Sequence, residues 1–112
     1  MATQKKTENH TTLTPAVFYI LLTLCEGERH GYDIMQQVNV DSGGRIPMGP
    51  GTLYGSIDRM IEAGLVAESR KSTDKRRIYY AITDYGWSIL GAEIKRLKDA
   101  VNLAQKIKIR FA

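Results

Sequence analysis

Side chains that ordinarily carry catalysis are scarce in this sequence. It holds two histidines, His10 and His30, and one cysteine, Cys25. His10 stands in a polar opening stretch and is expected to be solvated, and His30 stands where a helix is expected to begin. A single cysteine excludes an internal disulfide framework and a multi-cysteine zinc site. Cys25 has no base beside it and reads as a small buried hydrophobe. Gly49-Pro50-Gly51 with Gly55 has the look of a nucleotide loop, but no long apolar strand precedes it and no Gly-Lys-Ser/Thr follows. These residues point away from an enzyme, a cofactor and a metal centre.

The charges offer different chemistry. The net charge is +4 over 112 residues. Residues 1–64 hold five Lys/Arg against seven Asp/Glu, and residues 65–112 hold eleven against five. Arg70, Lys71, Lys75, Arg76 and Arg77 gather in one short stretch opposed only by Glu68 and Asp74. Such asymmetry suits a polyanionic partner, although charge runs are also common on plainly solvated faces. A second constellation is Thr52, Gly55 and Arg59. At about 100° per residue they share one side of a helix, opposite Leu53, Ile57, Met60 and Ile61. A face of small and polar groups can enter a major groove about 12 Å wide, and an arginine can reach a phosphate or a guanine edge. Thr52 falls in a first turn, where free N–H groups favour a phosphate. Taken singly, Thr52 reads better as a capping residue and Arg59 as a solvated charge; only together, on this element order, do they favour DNA.

The elements that must position these residues follow from periodicity and caps. Residues 1–12 are polar and without period, a flexible tail. Thr14 caps and Pro15 opens a first helix that is apolar on nearly every side from Ala16 to Cys25 and ends by Gly27. A helix with no polar face must be covered all round. A chain this short has little material for that, so one face, with Phe18 and Leu21, is expected to meet a second subunit. A second helix is expected from about His30 to Asn39, with Ile34, Met35 and Val38 inward. A turn follows at Asp41–Arg45, then a short extended piece at Ile46–Met48. The third helix runs from Pro50 to Gly64, with Tyr54 on its flank. Residues 65–70 and 76–82 have strand character about a polar turn, a β-hairpin with a basic tip. Tyr79 and Tyr80 must point to opposite faces of it, one into the core.

A last helix, capped by Thr83 and running from about Asp84 to Lys108, carries Trp87, Leu90, Ile94, Leu97, Val101 and Ala104 at spacings that alternate three and four. That is a heptad seam. Leu90, Ile94, Leu97 and Val101, with Phe18 and Leu21, are the expected dimerisation residues, and Trp87 is expected to anchor the helix to the core and wing. The seam either closes completely between two subunits or leaves a flat pocket lined by Phe18, Ile94, Leu97 and Val101, fit for an aromatic or lipophilic molecule. The residues leave both open. The longest apolar run, Ala16–Leu22, is too short to span a bilayer, and no signal peptide is evident, so a cytoplasmic location without membrane contact is expected.

The order is helix, helix, helix, hairpin, long helix. The expected fold is mainly α with a small β-hairpin: a winged helix-turn-helix over residues 13–82, a dimerisation helix over 83–108, and tails at 1–12 and 109–112. At 43% hydrophobic composition the chain can form a modest core. The reading is of a DNA-binding protein. A winged module that binds protein instead is the alternative, since fold does not dictate function, and the basic wing weighs against it.

The sequence also resembles the PadR family of bacterial transcriptional regulators. The resemblance lies in Leu13-Thr14-Pro15-Ala16-Val17, in Gly27-Glu28-Arg29-His30-Gly31-Tyr32-Asp33-Ile34 and in Gly49-Pro50-Gly51-Thr52-Leu53-Tyr54. It continues through Leu65-Val66, Arg76-Arg77-Ile78-Tyr79-Tyr80 and Ile82-Thr83-Asp84-Tyr85-Gly86, so that about residues 13–100 are covered. The short C-terminus is similar to the smaller subfamily, whose last helix completes a homodimer. The resemblance implies a repressor that binds double-stranded operator DNA as a homodimer. It implies DNA contacts from Tyr32, from Thr52, Tyr54 and Arg59, and from Lys75, Arg76 and Arg77 of the wing. Some members release DNA on binding phenolic acids or flat hydrophobic drugs. In one branch an aromatic midway along the last helix stacks on the drug. That position falls on Leu97 here, a departure from the pattern.

Overall fold

Each helix begins where its cap is chemically able to start one. In the computed structural model, which describes residues 13–69 and 77–107, Thr14 Oγ1 accepts the Val17 amide at 3.2 Å and Pro15 occupies the first position of α1 (Pro15–Leu24). His30 Nδ1 accepts the Asp33 amide at 3.3 Å and caps α2 (Gly31–Asp41). Pro50 opens α3 (Pro50–Glu62). Thr83 Oγ1 accepts the Gly86 amide at 2.9 Å at the head of α4 (Asp84–Lys106). Three short strands, β1 (Arg29–His30), β2 (Val66–Glu68) and β3 (Tyr79–Ile82), form an antiparallel sheet in the order β1-β3-β2. The register pairs Arg29 with Tyr80 and His30 with Tyr79 on one side, and Val66 with Ile82 on the other. Among the described residues, four helices and a small sheet make the fold mainly helical, with a winged helix-turn-helix and a long C-terminal helix.

The sheet has one strand more than the hairpin expected from the sequence. Two residues are too few to show an alternating pattern, and β1 exists only because β3 offers it an open edge. The tip of the wing, including Arg70, Lys71, Lys75 and Arg76, lies outside the described residues. So do the tails at 1–12 and 109–112, and with them His10 and Lys108.

One core gathers Ile20, Leu21 and Leu24 from α1, Ile34 and Val38 from α2, and Leu53, Ile57 and Met60 from α3, closed by Leu65, Val66, Tyr80, Ile89 and Leu90. Ile61, expected on the inner face, is exposed, and Ser56 is buried in its stead. At 100° per residue Leu53, Ser56, Ile57 and Met60 form the tighter stripe, and the eighth residue along drifts to the flank. Cys25 is half-buried, its Sγ donates to the Leu21 carbonyl at 3.3 Å, and burial, with the Glu26 charge adding, pushes its thiol above the ordinary value. It packs at the edge of the core rather than inside it, so the expected full burial does not hold.

Two of the six expected dimerisation residues are corrected. Leu21 is 0% exposed and Leu90 2%, because both lie within the chain's own hydrophobic core. A side chain enclosed by its own core has no surface left for a partner. Ile94, Leu97 and Val101 remain 37%, 39% and 54% exposed, and Phe18 is half-buried beside them. Trp87 is 49% exposed and does not anchor α4.

The anchor is a close approach at Gly86. A Cβ there would lie 2.8 Å from Ile82 Cγ1 and hard against the Leu65 carbonyl. Thr83 clamps the same segment, its hydroxyl meeting the Gly64 and Leu65 carbonyls at 2.6 and 3.1 Å and its amide donating to Leu65 at 3.0 Å. Gly91, five residues on, has open space where its Cβ would go. In thermal unfolding, Gly91→Ala should stabilise the protein by up to about 1 kcal/mol through helix propensity. Gly86→Ala should destabilise it by about 1–3 kcal/mol despite the same propensity gain, because a backbone carbonyl cannot give way as a side chain can. Equal melting shifts for the two variants would remove the joint from the account of the fold.

Candidate nucleic-acid interface

The polar residues left over by the core define a surface on α3. Leu53, Ser56, Ile57 and Met60 face inward. Thr52, Tyr54, Asp58 and Arg59 are exposed, and Gly55 is half-exposed among them. Arg59 lies back along its own helix: its Nη2 is 3.5 Å from Ser56 Oγ, and its Nη1 is 3.7 Å from where a Gly55 Cβ would be. Among the described residues no side chain caps the N-terminus of α3 at Gly49. The amides of its first turn, with the Thr52 hydroxyl, can therefore donate outward. Asp58 is a member of this face that sequence reasoning passed over. A carboxylate there opposes phosphate and can accept from a cytosine amino group.

Tyr54 does two things. It is partly exposed, and its ring also packs across the first residue of α2, so that a Cβ at Gly31 would lie 2.6 Å from Tyr54 Cζ and 2.8 Å from Cε1. The glycine thus lets α2 and α3 approach closely at that end. Tyr32, next along α2, is exposed, and its hydroxyl accepts from Gln36 Nε2 at 3.2 Å. Tyr80 is the buried member of the tyrosine pair on β3, and Tyr79 is half-buried. Burial above all, with Tyr54, Glu68 and Asp58 adding, pushes the Tyr80 phenol above its ordinary value.

Of the three wing cations, Lys75 and Arg76 lie outside the described residues. Arg77 is exposed, with Nη1 3.4 Å from His30 Nε2. The His30 ring meets Tyr79 edge-on, centroids 5.4 Å apart at 89°. The base of the wing, the start of α2 and the outer face of α3 therefore meet in one corner, through Arg77, His30, Gly31 and Tyr54.

A second surface lies along α4. Phe18, Ile94, Leu97 and Val101, with Lys98 and Asn102 at the margin, line an open groove of about 260 Å³. Beside it Glu93 is buried and held by Arg96 in a two-point pair, Nε to Oε1 at 3.0 Å and Nη2 to Oε2 at 2.8 Å. The hydrogen bonds from Arg96 hold the Glu93 carboxyl below its ordinary range, against the opposing effect of burial. Sequence reasoning gave this pair no place. Its signal was an acid and a base three residues apart at the edge of the seam.

Residues 20–92 match the transcriptional regulator PadR-like family. No curated protein matches the chain. Among solved structures, a transcriptional regulator from Clostridium thermocellum superimposes with a TM-score of 0.68 at 22% identity, over 84% of this chain and 90% of that one. RosR from H. salinarum gives 0.62 at 28% identity, over 88% and 81%. A zinc-responsive MarR family member from Lactococcus lactis, ZitR, gives 0.64 at 17% identity, over 94% of this chain and 67% of its own. The first and third are likenesses of fold.

Gly55 separates a folding role from a surface role. Among the described residues its missing side chain has only Arg59 Nη1 within 4 Å, so leucine fits without disturbing the core. Gly55→Leu should melt no lower than the unaltered protein, since leucine favours a helix more than glycine does. It should bind duplex DNA from the promoter beside its gene on the order of ten- to a hundredfold more weakly, the effect of a side chain whose bulk blocks one good base interaction. Mobility shifts paired with melting curves measure both, and a folded variant with unchanged binding would take α3 out of the groove.

Proposed function

Since the chain belongs to the PadR-like family of transcriptional regulators, we propose that it is a repressor that binds operator DNA as a homodimer, with α3 of each subunit in a major groove and the wing on adjacent phosphates. The observation that carries this is the outer face of α3. Thr52, Gly55 and Arg59 take no part in the core, and they adjoin the corner where Arg77 of the wing emerges. Thr52 and Arg59 serve phosphate or base edges, Gly55 allows close approach, and Tyr32 and Tyr54 flank them. Lys75, Arg76 and Arg77 supply phosphate contact that is insensitive to sequence.

The second subunit is supported by α4. A 23-residue helix is about 34 Å long, and past Glu93 almost none of it is covered by the other described residues. Ile94, Leu97 and Val101, with Phe18, form the apolar stripe that a second copy would cover. A small aromatic or lipophilic effector is a second reading of that stripe, favoured by the almost wholly apolar lining of the 260 Å³ groove. Leu97 offers no ring for stacking, so such a molecule would be held by shape and apolar contact. It could release DNA only by preferring the state that does not bind it.

One variant tests the assembly. Leu97→Glu puts an unpaired charge into the proposed dry interface, and leaving such a charge buried costs about 3–5 kcal/mol. Sedimentation at micromolar concentration should show a dimer for the unaltered chain and a monomer for the variant, which should retain its helical circular dichroism. Promoter binding should disappear together with the dimer, because two half-sites one turn apart need two linked recognition helices. An unaltered chain that sediments as a monomer, or a monomeric variant that binds as well as before, would refute the dimeric repressor. Repeating the isotherm with phenolic and planar aromatic compounds decides the effector: an unmoved isotherm excludes it.

A further inference from the structure

The outermost line of α3 carries two glycines and one acid. Leu53, Ser56, Ile57 and Met60 face the core, and at about 100° per residue the line opposite them runs through Gly51, Gly55 and Asp58. Among the described residues, a Cβ at Gly51 would meet nothing within 4 Å, and one at Gly55 would meet only the Arg59 guanidinium at 3.7 Å. Backbone therefore forms the surface of the first turns, and Asp58 is the first side chain to stand up from that line. Its carboxylate is unpaired: among the described residues it takes part in no hydrogen bond and no ion pair. The residues one turn away from it, Tyr54, Gly55, Ile61 and Glu62, include no cation. Arg59, next in sequence, turns back toward Ser56 Oγ at 3.5 Å.

The chemistry of the major groove restricts what such a group can meet. A carboxylate accepts hydrogen bonds and donates none, and phosphates repel it. Guanine presents two acceptors, thymine an acceptor and a methyl group, and adenine an amino donor beside its N7 acceptor. Cytosine presents the N4 amino donor with no acceptor of its own beside it. We infer that Asp58 selects cytosine at one position of the bound DNA by accepting from its N4 amino group. The inference rests on the DNA-binding reading above and deepens it by naming a residue that determines sequence. Thr52 and Arg59 can serve phosphate as readily as base, whereas Asp58 is accommodated only against a base. The two glycines make the contact possible, because a side chain this short reaches a base edge only where the backbone comes close. Against any other base the carboxylate loses water and gains no donor, so Asp58 penalises wrong sequences as well as favouring the right one.

Selection from a pool of random duplexes tests the assignment. The unaltered chain should enrich sequences that share a cytosine at one fixed position. Asp58→Ala should accept any base there and keep the other enriched positions. Asp58→Asn, of the same shape, should move the preference to adenine, since an amide carries the donor and acceptor that match N7 and N6. On the selected duplex, exchanging that cytosine should weaken the unaltered chain by about five- to a hundredfold and the alanine variant hardly at all. On a random-sequence duplex at low salt both variants should bind about two- to fivefold more tightly than the unaltered chain, the size of one exposed charge–charge interaction. Both should melt no lower, because Asp58 is exposed and touches nothing in the core. Folded variants that enrich the same sequences as the unaltered chain, or that tighten on every duplex alike, would overturn the role of Asp58. So would an unaltered chain that enriches a sequence with no fixed cytosine, which leaves the DNA-binding reading standing. An unaltered chain that retains no duplex at all would overturn that reading itself, and the assignment with it.

Discussion

The long helix is joined to the winged body across a gap that only a hydrogen atom fills. Gly86 brings the first turn of α4 against the Leu65 carbonyl, and Thr83 ties the same turn to the Gly64 and Leu65 carbonyls. Leu65 in turn donates its amide to Met60 at 2.9 Å, at the end of α3. The outer face of α3 and the long helix α4 are thus linked through a short run of backbone. In a dimer held by α4, this joint sets the direction of each α3, and through it the half-site spacing that two subunits can reach. A side-chain contact at that point would yield a little under load; a backbone carbonyl packed against a helix will not.

The division of apolar residues follows from the same geometry. Near the joint α4 lies on the body, so Ile89 and Leu90 complete the core. One turn further the body ends, and Ile94, Leu97 and Val101 continue the stripe into the open. The boundary falls at Glu93, where a buried carboxylate is neutralised by Arg96 reaching in from solvent. An acid at the edge of an apolar seam is costly unless paired, and paired it favours one alignment of whatever packs there. The chain's own core and the exposed apolar stripe are therefore consecutive stretches of one heptad pattern.

Where the start of α2 meets α3 and the base of the wing, core packing and exposed surface share residues. Tyr54 faces outward but rests on Gly31, and His30 caps α2 while meeting Arg77 and Tyr79. Tyr80 is buried in the core from the sheet side. Groups that serve structure and surface together transmit displacement from one to the other, so the position of the wing is tied to the first turn of α2.

Much of this is legible in the residues themselves. Thr14-Pro15, Pro50 and Thr83-Asp84 mark helix starts because capping and proline geometry are local, and the inward stripe of α3 follows from a period of 3.6. The polar face opposite that stripe is local for the same reason. β1 is not legible, because a two-residue strand exists only when a neighbouring edge pairs with it. Leu21 and Leu90 cannot be assigned from pattern alone: an apolar residue says that it will be covered, and only the packed chain says by what. Trp87 misleads on the same ground, since the joint is made by the small residue beside it rather than the large one. The meeting of His30 with Arg77, 47 positions apart in the chain, and the pressing of Gly86 on Leu65 are decided by tertiary structure. Neither leaves a periodic trace in sequence, because both depend on where three elements cross.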